Sequence, residues 1–415
     1  MNLVLFTSTY PFDDGAEQTF LEAELHHLCQ SFERVILVPK KNMGRRLPVP
    51  PKAEVDESYA LLLGKANLLS LSWDIFSSKL LYRELLQRPW LLVYPNSLKR
   101  MIRFFAVAKL TSSWIQAWLK ENSGEDSTVF YTYWFDSSTF GIGLAKQQYP
   151  TIKAVSRAHG YDLYEEYHYK PPYWPFRSAV LSSLEALFPD SEAGLKYLVQ
   201  RYPQYSPLYE TALLGVTDPG FVTPASSDNV FRIISCSMLV PVKRVELIME
   251  GILYASQMRP NQKFEWHHIG NGQVREALQE KANNSFPANA SAFFPGYTNK
   301  DTLMRFYCEH PADVFINASS TEGTPVAVME AISCGIPVIA TAVGGNQEIV
   351  SEKNGTLLNP DPTPEEIAKA IFAFIDHPER TAEKRQGSRA VWMELYNADV
   401  NFHAFAKRLK SMGER

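Results

Sequence analysis

The 415-residue sequence contains no uninterrupted apolar run of 18 residues or more, so it has no segment that could cross a bilayer as a helix. Cysteine is scarce, and Cys29, Cys236, Cys308 and Cys334 form no Cys-x-x-Cys pair, so neither a zinc site nor a disulfide framework is indicated. The first residues lack the basic start and the cleavage site of a secretory signal. We therefore expect a cytoplasmic protein with reduced thiols.

An excess of charge of either sign is also missing. Lys and Arg total 41 and Asp and Glu total 45, so the net charge is −4 and gives no case for nucleic-acid binding. Hydrophobic residues make up 45% of the chain and charged residues 21%, which is typical of a globular protein. The length exceeds what one hydrophobic core sustains, so we expect two domains of roughly 150–220 residues.

Short β-branched or aromatic runs alternate with longer helical patterns along the chain, which predicts parallel sheets with helices on both faces. The expected strands are Leu3–Phe6, Arg34–Val38, Val129–Tyr133, Ile152–Ser156 and Glu185–Phe188, then Phe231–Ile234, Lys263–Ile269, Asp313–Asn317 and Pro337–Ala340. The series occurs twice, and a turn-rich stretch at 216–228 separates the halves. We expect ligands in a crevice at the carboxyl ends of the strands.

Residues 64–120 differ from their surroundings in charge. They hold nine Lys or Arg residues against Asp74 and Glu84, a local charge of +7 (nine minus two), with Trp and Phe side chains interleaved. One interpretation is a solvated helical face over a core. The other is peripheral attachment to an anionic membrane, where each cation contributes ~1 kcal/mol and aromatic rings lie at the interface.

The stretch from 313 to 348 carries the most chemical information. A predicted strand leads into the polar loop Ser319–Thr324, and Pro325 fits the first position of the following helix. Free N–H groups at the start of a helix form an anion site, and Gly323 lets a phosphate approach the backbone closely. The segment therefore predicts a phosphate-binding helix end.

Two glutamates flank that predicted helix end. Glu322 lies in the loop and Glu330 lies inside the helix. Two carboxylates would repel a phosphate by itself, but they accept hydrogen bonds from the hydroxyl groups of a hexose and a ribose. The combination favours a nucleotide sugar as the ligand.

These motifs resemble a known family. Glu322–Glu330 with Gly344–Glu348 is similar to the Glu-x7-Glu signature of retaining family-4 glycosyltransferases. Further similarity to members that build bacterial exopolysaccharide, colanic-acid-like or lipopolysaccharide chains lies at Tyr10–Phe20, Arg157–Asp162, Leu239–Lys243 and Gly270–Gly272. The resemblance implies an α/β protein of the GT-B fold, with two Rossmann-like, doubly wound parallel-sheet domains facing across a cleft. It implies an acceptor-binding domain at 1–215, a nucleotide-sugar domain at 216–385 and a C-terminal helix at 386–415 that crosses back.

The resemblance also implies a role for each matching residue. Lys243 would neutralise the departing diphosphate, Glu322 would contact the donor sugar and His159 would lie near the reacting centre. The residues implied to bind the donor are Glu330, Gly323, Thr324, Pro325, Val326, Gly15, Ala16, Gly270 and Asn271. The residues implied on the acceptor side are Asp162, Glu17 and Thr19.

Two positions depart from the family pattern. Met238 stands where the family usually has an Arg that contacts phosphate, and Arg244 is a candidate replacement. Asn271 stands where an acidic residue is usual, which affects base or donor preference. Structural roles stay open for several residues. Glu322 could be a helix-entry carboxylate that complements the dipole, Glu330 an ordinary surface glutamate and Lys243 a solvated loop lysine, while His159 and Asp162 could be structural groups.

We thus expect a hexosyltransferase that acts with retention on a nucleotide sugar, most simply a UDP-sugar, and on a glycan or lipid-linked saccharide. The absence of any Asp-x-Asp triplet predicts that no metal ion or other cofactor is needed. The alternatives are a nucleotide-sugar epimerase or hydrolase on the same fold, or a non-catalytic glycan-binding protein. A dinucleotide-dependent oxidoreductase is disfavoured because Gly270-Asn271-Gly272 lacks the third glycine of the fingerprint.

Overall fold

The computed structural model describes residues 1–14, 17–66, 73–122, 128–167 and 171–414. The chain divides into two compact units, Met1–Leu213 with Phe402–Arg415, and Leu214–Asn401. Each unit contains one six-stranded sheet. Over the described ranges, no helix combines the length and the apolar character needed to cross a membrane.

The sheet of the first unit is parallel throughout. Its strands are β1 (Asn2–Thr7), β2 (Arg34–Pro39), β3 (Ala53–Val55), β4 (Thr128–Thr132), β5 (Lys153–Ala158) and β6 (Ala186–Pro189). Their order is β3-β2-β1-β4-β5-β6, so the direction of strand addition reverses between β1 and β4. Both of these central strands are buried along their whole length, which explains their continuous rather than alternating apolar sequence.

Helices cover the first sheet. They are α1 (Glu17–Ser31), α2 (Ser58–Lys65), α3 (Trp73–Phe76), α4 (Lys79–Gln87), α5 (Pro95–Glu121), α6 (Ser137–Lys146), α7 (Gly160–Leu163), α8 (Arg177–Leu181) and α9 (Glu192–Arg201). The start of α6 is fixed by a capping box, in which the side chain of Asp136 accepts from the N–H of Ser138.

The sheet of the second unit repeats this topology. Its parallel strands are β7 (Val230–Cys236), β8 (Lys263–Ile269), β9 (Ala290–Gly296), β10 (Val314–Asn317), β11 (Val338–Thr341) and β12 (Gly355–Leu358). The order β12-β11-β10-β7-β8-β9 reverses between β10 and β7. Ligands of doubly wound sheets bind beyond the carboxyl ends of the two strands at such a reversal.

The helices of the second half are α10 (Val245–Met258), α11 (Arg275–Ser285), α12 (Lys300–Glu309), α13 (Val326–Ser333), α14 (Asn346–Ile349), α15 (Pro364–Asp376), α16 (Pro378–Leu395) and α17 (Ala398–Gly413). The C-terminal segment 386–415 is thus not the single helix that we expected, because Tyr396 and Asn397 separate α16 from α17. Phe405 and Leu409 of α17 pack in the core of the first unit.

All nine expected strands are present, with ends shifted by no more than two residues. The three that the sequence did not indicate, β3, β9 and β12, are all edge strands. An edge strand has one neighbour and more contact with water, so its sequence carries a weaker apolar signal. In β9, buried and exposed positions are mixed along the strand.

An ion pair is buried within the first unit. Arg157 on β5 and Glu24 on α1 are 3.1 Å apart and both side chains are fully buried. Tyr131 donates to Glu24 at 2.8 Å, Arg157 donates to the carbonyl of Ala212 at 2.6 Å, and its guanidinium carbon lies 4.2 Å from the centre of the Phe405 ring. Arg157 therefore connects the sheet with α1 and α17. Because its side chain is fully buried, its role is structural.

We predict that Arg157→Met lowers the free energy of unfolding by roughly 3–5 kcal/mol, because it leaves the carboxylate of Glu24 buried without its cation. Thermal and urea unfolding measure the change. The matched control is Arg34→Met, whose 2.7 Å pair with Glu54 is partly exposed to solvent, with side chains 38% and 54% exposed, so a loss under about 1 kcal/mol is expected. Equal losses in the two variants would contradict a structural role for the buried pair.

Candidate active site

The most concentrated polar cluster of the second unit lies beyond β7 and β10, where the strand order reverses. Glu322 follows β10, and its Oε1 accepts from Asn317 at 3.0 Å and from the hydroxyl of Ser319 at 2.6 Å. Lys243 ends the short turn after β7, and its Nζ lies 2.7 Å and 2.8 Å from the two oxygens of Glu322. The topology therefore brings together a cation and a carboxylate that are 79 residues apart.

Glu322 is almost fully buried, at 7% exposed, whereas the Lys243 side chain is 23% exposed. The carboxylate is held on its inner side by Asn317 and Ser319 and on its outer side by the ammonium. Its position is thus fixed by the fold. Lys243, on a flexible stem, can exchange this carboxylate for another anion.

The next residue, Arg244, has no such freedom. Its backbone is in the left-handed region, with φ at 46°. Its guanidinium donates to the carbonyls of Ala318, Ser319 and Pro360 at 2.7–2.9 Å and pairs with Asp361 at 2.8 Å. Arg244 therefore clamps two loops together and does not replace the missing cation at Met238, whose own side chain is 64% exposed.

The loop that carries Glu322 is packed against Gly344 and Gly345. A Cβ atom at Gly344 would lie 1.9 Å from the carbonyl oxygen of Glu322, and one at Gly345 would lie 2.3 Å from that of Gly323. The N–H of Gly345 also donates to Gly323 at 2.9 Å. These positions need glycine because two backbone segments meet there without room for a side chain.

Helix α13 begins directly after this loop. Pro325 precedes its first residue, and the first hydrogen bond into the helix runs from the N–H of Val328 to the carbonyl of Pro325. The N–H groups of Val326 and Ala327 precede that bond and have no partner within the helix, which is the arrangement that attracts an anion. Thr324, Pro325 and Val326 thus occupy the helix end that the sequence predicted.

Glu330 is buried on the inner face of α13, at 6% exposed. Burial raises its pKa to about 7, against an ordinary 4.5, and the positive charge of Lys300 opposes that rise. Burial raises the pKa of the Cys236 thiol at the end of β7, the charge of Glu330 adds to that rise and the charge of Lys243 opposes it.

Gly270 and Asn271 form the turn after β8. Gly270 has φ at +149°, and a Cβ there would lie 1.8 Å from the carbonyl oxygen of Ser237, so no other residue fits. The amide oxygen of Asn271 accepts from the N–H of Gly272, and its carbonyl accepts from Leu239. The contact with Leu239 ties this turn to the loop that leads to Lys243.

In the first unit, His159 lies at the end of β5. Its Nδ1 is 3.1 Å from the carboxylate of Asp190, and its ring lies against those of Tyr133 and Trp134, at centroid distances of 4.6 Å and 4.9 Å. Its Nε2 is buried and has no hydrogen-bond partner within the described ranges. Asp190 therefore fixes the orientation of the ring through Nδ1.

Asp162 and Glu17, expected on the acceptor side, direct their carboxylates into the protein. Asp162 is 1% exposed and accepts from the N–H groups of His159 and Phe135, both at 2.7 Å. Burial raises its pKa to about 7, although His159 and these hydrogen bonds act to lower it. Asp162 therefore holds the His159 turn in place, and the sequence allowed this structural role.

Glu17 accepts from three consecutive N–H groups, those of Ser8, Thr9 and Tyr10, at 2.7–2.9 Å. It also accepts from the indole of Trp134 at 2.6 Å. One carboxylate thus joins the carboxyl ends of β1 and β4, at the reversal point of the first sheet. Thr19 is exposed on α1, and Gly15 and Ala16 lie outside the described residues.

Sequence reasoning missed the groups that hold the candidate residues. Asn317 and Ser319 orient Glu322, while Trp134 and Asp190 enclose His159. Asn317 was visible as a polar residue ending an apolar strand, but Trp134 and Asp190 come from other strands, and only the topology brings them near. Among the described residues, no group of three or more His, Cys, Asp or Glu side chains is arranged to hold a metal ion.

Part of the second unit is similar in sequence to a family of glycosyltransferases. Residues 223–390 fit the family described as Glycosyl transferases group 1. The GtfA subunit of a UDP-N-acetylglucosamine--peptide N-acetylglucosaminyltransferase from Streptococcus agalactiae is 24% identical over 214 residues, 49% of this chain and 40% of that subunit. The O-antigen biosynthesis glycosyltransferase WbnH from Escherichia coli is 25% identical over 181 residues, 41% of this chain and 48% of WbnH. The matched segments therefore span less than half of either relative.

A solved structure shares the fold along the whole chain. Anabaena HepE, crystallised with UDP-glucose, superposes with a TM-score of 0.62 at 15% identity, covering 99% of this chain and all of HepE. The expected fold class is confirmed: two parallel six-stranded sheets with helices, as in GT-B glycosyltransferases. Within the second unit, the similarity to group 1 glycosyltransferases covers residues 223–390. Retention and family-4 membership stay predictions.

We predict that Glu330→Gln stabilises the protein at pH 8 by roughly 2–3 kcal/mol and has little effect below about pH 5. The pKa of Glu330 is higher in the folded than in the unfolded chain, so the folded state binds more protons between these pKa values. Stability is therefore lost as pH rises from about 4.5 through about 7, and the neutral amide avoids that loss.

Unfolding by urea at several pH values measures this difference. The control is Glu352→Gln, which changes an exposed glutamate of the same unit and should leave the pH profile unaltered. A Glu330→Gln profile parallel to that of the unaltered protein would show that Glu330 does not titrate as its burial requires.

Proposed function

We propose that this chain is a retaining glycosyltransferase that transfers a hexose from a nucleotide sugar, a UDP-sugar first of all, to a glycan or lipid-linked saccharide. The observation that carries the proposal is the pairing of Lys243 with Glu322 just before α13, together with the burial of Glu330 inside that helix. A cation, free helix N–H groups and two carboxylates match the phosphates and hydroxyls of such a donor.

The phosphates would bind where positive charge is available. The first N–H groups of α13 and the ammonium of Lys243 offer that charge, and a diphosphate can compete for Lys243 because its side chain is partly exposed. Glu322, still held by Asn317 and Ser319, is then free on its outer side to accept from the hydroxyls of the sugar. Glu330 would accept from the ribose hydroxyls.

Cleavage of the bond between sugar and phosphate places negative charge on the departing diphosphate. Fixed dipoles and one cation stabilise that charge most in a site shielded from water. Met238 supplies no charge and Arg244 is occupied, so Lys243 carries most of this task. We propose transfer without a metal ion, in which the leaving phosphate oxygen takes the proton of the acceptor on the same face of the sugar.

The first unit would bind the acceptor. His159, whose Nδ1 is held by Asp190 and whose Nε2 meets no hydrogen-bond partner among the described residues, is the residue there that we expect near the reacting sugar. Asp162 and Glu17 position it: Asp162 fixes its turn and Glu17 fixes Trp134 against its ring. The donor contacts proposed for Gly15 and Ala16 rest on the resemblance.

One relative, WbnH, supports a role in surface polysaccharide synthesis. WbnH acts, by its name, in O-antigen biosynthesis, and HepE was crystallised with UDP-glucose. We propose that this chain likewise uses a UDP-hexose to extend a bacterial surface glycan inside the cell. A nucleotide-sugar epimerase or hydrolase, or a glycan-binding protein without activity, would differ in the assays below.

The region 64–120 would attach the protein to the inner face of an anionic membrane. Apolar side chains are exposed within its described residues, among them Leu86 at 83%, Val93 at 72% and Leu92 at 65%. Arg83, on the same helix as Leu86, is also exposed. Exposed apolar groups beside cations are typical of proteins that bind the headgroup region of a bilayer.

We predict that a UDP-sugar raises the melting temperature, and that GDP-, ADP- and CMP-sugars do so less, because binding stabilises the folded state by mass action. Lys243→Ala and Glu330→Gln should abolish the shift and lower the transfer rate by roughly 100-fold or more, since each removes a group that contacts the donor. The control Lys353→Ala removes an exposed lysine of the same unit and should change neither quantity.

Release of UDP from the UDP-sugar, measured with and without saccharide acceptors, separates the alternatives. Release that depends on an acceptor supports transfer, whereas equal release without one indicates a hydrolase. A protein that no nucleotide sugar stabilises would contradict the proposed function, and unchanged transfer by Lys243→Ala would remove that residue from the mechanism.

We predict that the protein floats with liposomes that contain anionic lipid, and that the bound fraction falls as salt rises. Leu86→Asp should weaken binding, because it places a negative charge among exposed apolar groups. The control Met393→Asp changes a residue of the second unit that is 57% exposed and should leave binding intact. Flotation that is independent of lipid composition would rule out the attachment.

A further inference from the structure

The first unit contains a cavity of about 530 Å³ that the proposed transfer chemistry does not use. Lys40 and Lys41 follow β2 directly, and their N–H groups bond to the carbonyls of Thr7 and Ser8, both at 3.0 Å. Ser137, which begins α6 after β4, also lines the cavity. The cavity therefore lies at the carboxyl edge of the sheet, the edge on which such folds bind their ligands.

Positive charge dominates the lining. Lys40, Lys41, Arg100 and Arg103 border the cavity, and none of its lining residues is acidic. Lys40 is paired with Asp136, whereas Lys41 and Arg103 are exposed and have no ion-pair partner within the described part of the chain. Net positive charge therefore remains at the cavity after the internal pair is counted.

Arg100 and Arg103 lie one turn apart on α5, so they face the same side of the helix. Arg100 donates to the carbonyl of Tyr173 at 2.7 Å, and its guanidinium carbon lies 4.7 Å from the centre of the Trp174 ring. These contacts hold the guanidinium of Arg100 in place beside that of Arg103, which is exposed. Less side-chain entropy is then lost when an anion binds to both.

An apolar surface adjoins these cations. Phe104 and Val107 continue the same face of α5, and Leu63 and Met43 also line the cavity. Met43 is 66% exposed, so its apolar surface is available to a ligand. A ligand that fits the whole cavity must therefore combine an anionic group with a hydrocarbon segment.

We propose that this cavity binds the acceptor substrate through a phosphate ester, held by Arg100, Arg103 and Lys41, with an adjoining hydrocarbon segment against Phe104 and Val107. Guanidinium groups match the oxygens of a phosphate with paired hydrogen bonds, and the apolar wall shields the hydrocarbon from water. The inference rests on the proposed function, whose acceptor it narrows to an amphipathic phosphate ester.

The test measures binding of hexyl phosphate to the full chain by calorimetry, with hexyl glucoside and inorganic phosphate as the comparison probes. We expect hexyl phosphate to bind at least about tenfold more tightly than either, because each comparison probe lacks one half of the ligand. Its affinity should fall as salt rises. Tight binding of inorganic phosphate would assign the cavity to a free anion and overturn the proposal.

Arg103→Gln and Lys41→Gln should each weaken hexyl phosphate by roughly tenfold, since each removes a charge-assisted contact. The control Lys120→Gln makes the same change of charge at an exposed position at the far end of α5 and should have no effect. If hexyl phosphate binds the variants and the unaltered protein equally, the proposal is wrong.

UDP-sugar binding, measured on the same samples, separates this inference from the proposed function. Loss of hexyl phosphate binding with intact UDP-sugar binding supports the cavity assignment. A protein that binds UDP-sugar but never hexyl phosphate retains its proposed function and lacks the proposed acceptor site. A protein that binds hexyl phosphate but no nucleotide sugar contradicts the proposed function instead.

Discussion

The candidate chemistry of this chain depends on the electrostatic contact between Lys243 and Glu322. A buried carboxylate is costly unless a cation or hydrogen bonds compensate for its lost hydration, and here Asn317, Ser319 and Lys243 all do so. The pair forms because the strand order reverses between β7 and β10, which brings the loops after these strands together. The ammonium of Lys243 is the more exposed group of the pair. Without ligand it balances the charge of Glu322, and an anionic ligand can replace Glu322 as its partner.

The two units share one sheet topology but place different polar groups at its centre. In each, a six-stranded parallel sheet reverses its strand order at the centre, and the functional candidates lie beyond that point. In the second unit the reversal gathers Lys243, Glu322 and the start of α13. In the first unit, Glu17 receives three backbone N–H groups after β1 and the indole of Trp134 after β4, and Trp134 contacts His159. The carboxylate of Glu17 thus organises the backbone, whereas that of Glu322 faces an exchangeable cation.

Most of the fold could be predicted from sequence because the central strands are buried on both faces and read as continuous apolar runs, as β1 and β4 do. The edge strands β3, β9 and β12 could not, since partial exposure weakens that pattern. The helix end at Pro325 and its two glutamates were predictable because their spacing is local. The partners of His159 were not, because Asp190 and Trp134 reach it from other strands. Arg244 was a possible phosphate ligand until its contacts with Ala318, Ser319, Pro360 and Asp361 were seen.

The close packing of Gly344 and Gly345 on the loop at Glu322 and Gly323 has a mechanical consequence. Two stretches of backbone in direct contact, linked by a hydrogen bond and without intervening side chains, cannot slide independently. Any ligand that displaces the Glu322 loop must therefore move α14 as well, so the rigid element is larger than the loop itself. Substitutions meant to alter the site at Glu322 therefore have to treat these two peptide segments as one rigid element.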